Sequence, residues 1–235
     1  MAASAELRSL ALASGKSDSV LSGVSITDYE MSRDEKEVAF TTTDSRGASQ
    51  IWLAPLDRRT PPREIARDGD HVSFGPDGEL VFRSLAENNA LVRIKKDGTG
   101  RERITTASVL DKFGVSPDGE WVIAFLPGGA TIAVPIHGGA ARGICVARCF
   151  PTWSSDGRFL YVEYPGAGKT LTIPVPAAKS LSDLPVAGID TAAGVVALPG
   201  AWMIERGSIS PGPDPSTYVF TKTDLQRNLF RIPLH

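Results

Sequence analysis

Apolar runs of five or six residues recur along the chain, and each follows a polar turn that contains Asp-Gly or a close variant of it. The clearest unit covers residues 113–125, with similar units at 72–82 and 151–162 and a worn copy at 29–40. The turn aspartates are 43, 41 and 38 residues apart by subtraction: Asp34, Asp77, Asp118 and Asp156. A period of about 40–45 residues is that of a four-stranded propeller blade.

Each unit divides into four strands. Asp-Gly between two β-rich runs predicts a two-residue hairpin turn, because that turn needs positive φ at both positions. A third strand follows a loop, and a short fourth strand closes the unit. The second strand is apolar nearly throughout, which suits a sheet that is buried on both faces. The sequence therefore predicts an all-β protein, a β-propeller of four-stranded antiparallel blades.

We expect one domain over residues 1–235, with four full blades and a partial blade at each end. The predicted divisions are a partial blade, four full blades, and a connector with a final partial blade, at 1–25, 26–67, 68–107, 108–147, 148–187 and 188–235. The partial blades either complete each other in a five-bladed ring or belong to the C-terminal part of a larger propeller. The second arrangement is favoured, because a chain that begins in mid-blade is unusual for a natural domain.

The composition is that of an ordinary globular protein, with 42% hydrophobic and 22% charged residues. A net charge of -2 argues against a nucleic-acid partner or an anionic membrane surface. Apolar runs stay well short of the roughly 20 residues that cross a bilayer, so we expect no membrane insertion by this chain. The first residues lack the pattern of a signal peptide, and this reading frame alone predicts the cytosol.

The only two cysteines are Cys145 and Cys149, four positions apart. They are too few to build a four-ligand zinc site. Two half-buried thiols are the simplest interpretation. A local disulfide, which would need an oxidising compartment, and a redox role stay open.

Catalytic signatures are missing from the sequence. Residues 163–170 resemble a phosphate-binding loop, but Glu163 stands where the pattern requires glycine, and a strand rather than a helix follows. There is no Gly-x-Ser-x-Gly elbow. His71, His137 and His235 have no partner at metal-ligand spacing. We therefore predict no catalytic residue, no metal and no cofactor.

Two sets of residues receive a predicted role. The turn residues recur because the blade recurs, so we interpret them as structural: Asp77, Gly78, Asp118, Gly119, Asp156 and Gly157. The longer loops at the opposite face are where binding residues are expected. The candidates there are Asp44, Arg46, Arg67, Asp70, Lys112 and Trp202. Trp202 is expected to lie in a long connector, residues 187–206.

The motifs at residues 74–78 and 115–119 resemble the TolB-type, WD-like propeller repeat. Residues 49–58, 210–216 and 226–234 look like the C-terminal end of bacterial proteins that join a serine/threonine kinase to such a propeller. The chain has none of the kinase motifs, so the resemblance implies a sensory or protein-binding appendage and no kinase activity. Attachment to a membrane-anchored kinase would place the propeller in the periplasm or otherwise outside the cytoplasm.

The favoured hypothesis is a non-catalytic module that binds a protein or peptide, or senses a small ligand, within a larger bacterial signalling protein. The alternatives are a propeller enzyme of lyase or glycoside hydrolase type, the propeller gate of a serine peptidase, and a fragment without independent function. An enzyme would require several acidic or histidine side chains to meet near the propeller axis.

Overall fold

The fold is all-β. A computed structural model describes residues 7–11, 13–145, 147–154, 156–164, 166–175, 181, 198–212 and 214–220. Within these ranges the helical structure is limited to short 3₁₀ turns, of which Pro76–Gly78 is the clearest. No helix in the described part of the chain is long and apolar enough to span a membrane.

Four sheets have four antiparallel strands each, in simple sequence order. Blade 1 is made of β3 (Ile26–Met31), β4 (Glu37–Thr43), β5 (Ser49–Pro55) and β6 (Arg63–Arg67). Blade 2 is made of β7 (Gly69–Phe74), β8 (Glu79–Ser84), β9 (Ala90–Lys95) and β10 (Glu102–Arg103). Blade 3 is made of β11 (Asp111–Val115), β12 (Trp121–Phe125), β13 (Thr131–Pro135) and β14 (Arg142–Cys145). Blade 4 is made of β15 (Phe150–Trp153), β16 (Phe159–Glu163), β17 (Thr170–Pro174) and β18 (Trp202–Ile204).

The core lies between the blades. Successive side chains of a strand point to opposite faces of its sheet, so one strand can serve two neighbours. Leu80 and Phe82 of β8 pack against blade 1, whereas Val81 between them packs against blade 3. Blades 3 and 4 share a third cluster, which includes Ile123, Ala133, Ile144, Leu160, Val162 and Leu171. The prediction of a propeller of stacked four-stranded blades is confirmed.

The outer strand of blade 4 differs from the sequence-based expectation. β17 ends at Pro174, and its partner β18 begins only at Trp202, beyond the predicted blade limit at residue 187. The prediction that Trp202 lies in a connector is wrong, because Trp202 pairs with Thr172 in the sheet. In the other blades a short loop joins the third strand to the fourth, whereas in blade 4 a long segment separates these two strands.

The repeated turn is held together by a serine and an aspartate. In blade 3 the Ser116 hydroxyl donates to Asp118 and accepts the N–H of Trp121 at 2.9 Å, while Asp118 accepts the N–H of Glu120 at 3.0 Å. The same three contacts recur at Ser154 in blade 4 and at Ser32 in blade 1. In blade 4 the Arg158 N–H, the Ser154 hydroxyl and the Arg158 side chain hold the pKa of Asp156 at about 2.

The expected two-residue turn is wrong in detail. The Ser116 N–H donates to the Trp121 carbonyl, so the loop of blade 3 encloses four residues, 117–120. Only the glycine of that pair has positive φ, with Gly119 at 77°. In blade 2 glycine replaces the serine and Pro76–Gly78 forms a 3₁₀ turn, and there both Asp77 at 52° and Gly78 at 76° have the predicted positive φ. Four residues allow the Ser–Asp contacts that a two-residue turn could not hold.

The turn glycines of blades 3 and 4 also touch the preceding blade. A Cβ placed on Gly119 would lie 2.9 Å from the Cβ of Pro76, and one placed on Gly157 would lie 2.5 Å from the Cβ of Pro117. Proline and glycine of consecutive repeats therefore meet, and the Pro-Asp-Gly sequence is fixed by packing between blades as well as by the turn itself.

Cys145 and Cys149 form a disulfide. It links the end of β14 in blade 3 to the residue before β15 in blade 4, and both cysteines are buried in the cluster between those blades. The interpretation as half-buried free thiols is therefore corrected in favour of the local disulfide. A four-residue spacing allowed either state, and only the positions of the two strands decide between them.

The ends of the chain form two smaller sheets, β1 (Leu7–Ala11) with β2 (Lys16–Leu21), and β19 (Ile209–Pro211) with β20 (Tyr218–Phe220). In the described part of the chain these two sheets do not pair with each other, so the described strands do not close a ring. The strand predicted at 228–232 lies outside the described residues. Tyr29 and Met31 of β3 are exposed on the face towards β1 and β2.

The glycine contacts give a stability prediction. Gly119→Ala should lower the free energy of unfolding by about 1–2 kcal/mol for positive φ and by roughly 1–3 kcal/mol more for crowding against Pro76. Gly47→Ala is the control, because Gly47 also has positive φ, at 83°, but a Cβ placed on it would meet no described atom within 4 Å. Urea denaturation of both variants separates the two effects. Equal losses would show that the contact between blades contributes nothing.

The disulfide gives a second prediction. Reduction of the native chain should lower the free energy of unfolding by about 2 kcal/mol, the chain-entropy value for so short a loop. Thermal unfolding with and without reductant measures this. The Cys145→Ala/Cys149→Ala double variant is the control and should not respond to reductant. An unchanged melting temperature of the native chain would contradict the prediction.

Candidate functional site

Charged side chains gather where the first strands of blades 1, 2 and 3 lie side by side. β7 contacts β3 on one side and β11 on the other. Each of these strands carries a β-bulge near its start, between Ile26 and Asp28, between Asp70 and Ser73, and between Lys112 and Gly114. Bulges re-aim side chains and are common beside functional sites. We call the group the inner-strand cluster: Asp28, Glu30, Asp70, His71, Asp111 and Lys112.

Asp70 is neutralised within its own blade. Arg83, opposite it on β8, donates to both carboxylate oxygens at 2.7 Å and 2.6 Å. Arg83 also donates to the carbonyl of Leu110 in the segment before blade 3. A bidentate pair of this kind fixes the orientation of both side chains. Arg83 thereby connects blade 2 to the segment before blade 3.

His71 and Asp111 form a second pair. His71 lies in the bulge of β7 with φ 51°, and its Nδ1 is 3.2 Å from the Asp111 carboxylate. Arg148 approaches the other oxygen of Asp111 at 3.9 Å and stacks over Phe125 and Phe150. Because Arg148 immediately precedes Cys149, the disulfide holds this arginine at the edge of the cluster.

Lys112 is the most buried charged group of the cluster, with 6% of its surface exposed. Its ammonium donates to the Ser73 hydroxyl, and no other acceptor among the described residues bonds to it. Burial lowers the pKa of Lys112, while the charges of Glu30, Asp28, Asp111 and Asp70 act in the opposite direction. An ammonium has three N–H donors, so two of them lack a partner in the described structure.

Asp28 and Glu30 supply the remaining negative charge. Burial raises the pKa of Asp28, and the charges of Lys112 and His71 only partly offset this. Glu30 accepts the backbone N–H of Phe74 at 3.1 Å. Neither carboxylate has a cationic side chain of the described residues within ion-pair distance. Their nearest compensation is the more distant Lys112.

A buried hydroxyl lies beside Asp28. Thr41 of β4 is directly opposite Asp28 in the sheet, so both side chains are on the same face. Thr41 is fully buried, and its Oγ1 has no hydrogen-bond partner in the described structure. Four further buried polar atoms of the described residues also lack a partner, and they lie outside the cluster: Trp52 Nε1, Trp153 Nε1, Tyr161 Oη and Thr172 Oγ1.

The pairing leaves the cluster with an excess of negative charge. The positive charge of Arg83 offsets the negative charge of Asp70, and Arg148 is the arginine that approaches Asp111. The two negative charges of Asp28 and Glu30 are then opposed only by the single positive charge of Lys112. Within the described residues no group of three or more acidic, histidine or cysteine side chains converges closely enough to hold a metal ion.

The structure separates the six residues proposed from sequence. Asp70 and Lys112 belong to the inner-strand cluster. Asp44 and Arg46 belong to one loop, where Asp44 accepts the backbone N–H groups of Arg46 and Ala48 and the Arg46 side chain is exposed. The remaining two have partners elsewhere, Arg67 with Glu64 at 2.7 Å and Trp202 edge-on with Phe159.

Sequence reasoning missed Asp28, Glu30, His71 and Asp111. A signal was present, because Asp70 and Asp111 each stand seven positions before their turn aspartate and Asp28 stands six before its own. The bulges obscure this signal, since they shift the alternation of side chains within each strand. The sequence shows no partner for His71 at metal-ligand spacing, whereas the bulge turns its ring towards Asp111.

Comparisons with known proteins support the fold. No protein-family model and no curated protein sequence matches the chain. Among solved structures, a putative TolB from Agrobacterium tumefaciens superposes with a TM-score of 0.61 at 17% identity, over 78% of this chain and 71% of that one. A nidogen/laminin complex gives 0.56 at 14% identity, over 72% and 67%. Oligogalacturonate lyase in complex with manganese gives 0.52 at 14% identity, over 72% of this chain and 56% of the lyase.

These superpositions show a β-propeller fold similar to that of TolB-like proteins, and identities this low show nothing beyond the fold. The chain spans only about half the length of the lyase. The structural relatives include proteins described as enzymes and proteins that are not, so the activity of this chain has to be argued from its own residues.

The raised pKa of Asp28 gives a pH-dependent prediction. Below its ordinary pKa of 3.8 Asp28 is protonated in both the folded and unfolded states, and above its folded pKa it must ionise in a partly buried place. Asp28→Asn should therefore raise the melting temperature by about 1–3 °C at pH 7. The gain should vanish as the pH falls towards 4.

Asp34→Asn is the control of opposite sign. The Ser32 hydroxyl and the Lys36 N–H lower the pKa of Asp34, so its carboxylate stabilises the fold above pH 3.8 and this is lost as the pH falls through the folded pKa. Asp34→Asn should reduce stability at pH 7. Melting curves from pH 3 to 8 measure both variants, and a loss of stability in Asp28→Asn at pH 7 would contradict the assignment.

Proposed function

We propose that this chain is a non-catalytic binding module that holds a protein or peptide segment, or a small ligand, at its inner-strand cluster. The observation that carries the proposal is the buried Lys112 ammonium, which has one hydrogen bond where it could make three. An incompletely bonded buried charge costs stability. A ligand that supplied the missing acceptors would recover that cost on binding.

The neighbouring side chains support binding over catalysis. Asp70 is locked by Arg83 and Asp111 is paired with His71, so these groups are positioned and occupied. Their order pre-organises the site, which reduces the entropy lost on association. Loops of the same face surround the cluster and could contact a larger partner.

A propeller enzyme is the second candidate. The specific observation in its favour is the His71–Asp111 pair beside Asp28, whose raised pKa suits a proton donor. Such a set could act as general acid and base in a lyase or glycoside hydrolase. The comparisons favour neither candidate.

The wider setting is also a proposal. The resemblance of residues 49–58, 210–216 and 226–234 to the C-terminal propellers of bacterial serine/threonine kinases supports a role as the sensory part of a signalling protein. The Cys145–Cys149 disulfide fits a position outside the cytoplasm, where disulfides persist. A membrane-anchored kinase with an external propeller would satisfy both observations.

A ligand screen tests the site. A panel of cationic, anionic, zwitterionic and neutral small molecules and short peptides is added to the chain, and stabilisation is read by thermal shift. At least one class should raise the melting temperature of the native chain. Lys112→Met should abolish that shift, because it removes the buried donor. Turnover of each stabilising compound is followed in parallel.

Arg46→Ala is the matched control. Arg46 lies in a loop of the predicted binding face, and its side chain is 83% exposed. If Arg46→Ala abolishes the shift and Lys112→Met retains it, the site is in the loops and the proposal is wrong. Turnover that depends on His71 would replace the binding function with the enzymatic one.

A further inference from the structure

We propose that the inner-strand cluster recognises the free N-terminus of a peptide, which carries an ammonium group and, on the same residue, a carbonyl oxygen. The inference rests on the proposed binding function and names its ligand. It is drawn from three features of the cluster, which are the uncompensated carboxylates of Asp28 and Glu30, the unused donors of Lys112, and the buried Thr41 hydroxyl.

The carboxylates define the charge of the ligand. Asp28 and Glu30 are on the face of blade 1 that packs towards blade 2, because they lie opposite Thr41 and Ala39, and Ala39 belongs to the cluster shared with blade 2. No cationic side chain of the described residues reaches either carboxylate within ion-pair distance. A ligand ammonium would supply the missing partner in a partly buried place, where a charge-assisted hydrogen bond is strong.

The remaining donors define the second group of the ligand. Two N–H bonds of Lys112 and the hydroxyl of Thr41 have no acceptor in the described structure. An oxygen of the ligand would accept from Lys112, whereas the Thr41 hydroxyl lies on the blade 1 side, opposite Asp28 in the sheet. Lys112 comes from blade 3 and Asp28 from blade 1, and the charges of Glu30 and Asp28 act on the Lys112 ammonium. The acceptor and the cation of the ligand therefore have to lie close together, as they do in an amino-terminal residue.

The total charge decides between possible ligands. A phosphate or a dicarboxylate would face the four carboxylates of the cluster with a single free cation, Lys112. A free amino acid would add a carboxylate of its own to the same surroundings. A neutral sugar would leave Asp28 and Glu30 without a cation. A peptide N-terminus carries one positive charge and a neutral carbonyl, which complements both parts of the cluster.

Matched dipeptides test the inference. Alanyl-alanine amide has a free ammonium and no carboxylate, and N-acetyl-alanyl-alanine amide differs only by the loss of that charge. Calorimetric titration of the native chain at low salt should detect the free dipeptide and show at least tenfold weaker binding of the acetylated one. Alanine, the free amino acid, should also bind at least tenfold more weakly.

Variants locate the binding. Asp28→Asn should weaken alanyl-alanine amide at least tenfold, and because this variant is expected to be more stable than the native chain, the loss cannot come from unfolding. Lys112→Met should weaken it by a similar factor, while Arg59→Ala, a change of an exposed arginine in the loop between β5 and β6, should leave it unchanged. Equal binding of the free and acetylated dipeptides, or no binding of the free dipeptide at millimolar concentration, would overturn the inference.

The result is distinct from a failure of the proposed function. If another class of ligand in the thermal-shift panel binds and is lost in Lys112→Met, the binding module stands and only its ligand is wrong. If alanyl-alanine amide binds and is insensitive to both Asp28→Asn and Lys112→Met, the cluster is not the site and both proposals fail.

Discussion

The structure depends on one packing constraint, that a four-stranded sheet with apolar side chains on both faces must be covered on both faces. Val81 and Phe82, neighbours in one strand, are buried against different blades. This arrangement repeats the sheet around an axis and brings the first strands of successive blades into contact. The same constraint fixes the turn, since Gly119 and Gly157 leave room for the prolines of the preceding blades. The packing between blades therefore sets the positions of the inner strands and of the side chains that they carry.

The inner-strand cluster combines several buried polar groups whose hydrogen bonds or charges are incompletely satisfied by the described residues. Elsewhere the buried polar groups of the turns satisfy one another, as Ser116 and Asp118 do. At the cluster Lys112 keeps unused donors, Thr41 has no partner among the described residues, and burial raises the pKa of Asp28. These features oppose folding, and the surrounding apolar packing must compensate for them. Local costs of this kind concentrate at functional sites, because binding groups must remain available to a ligand.

Sequence alone predicted the architecture, because the 38–43-residue spacing of the turn aspartates and the apolar second strands are direct consequences of the blade. It did not predict the four-residue turn, which depends on the Ser116 hydroxyl, or the pairing of Trp202 with Thr172, which spans a long insertion. Of the site it predicted Asp70 and Lys112. The other members were hidden by bulges, because an extra residue changes which side chains face the neighbouring blade, and only the register of the strands reveals it.

The central claim is that groups from blades 1 and 3 act on one ligand across β7. A crystal structure of the chain grown with alanyl-alanine amide tests it most directly. The account predicts the dipeptide beside β7, with its ammonium within hydrogen-bonding distance of Asp28 or Glu30 and its carbonyl oxygen accepting from Lys112. Density for the dipeptide at the loops of Arg46 and Arg67 or beside Trp202, with the inner-strand cluster unchanged, would contradict the account.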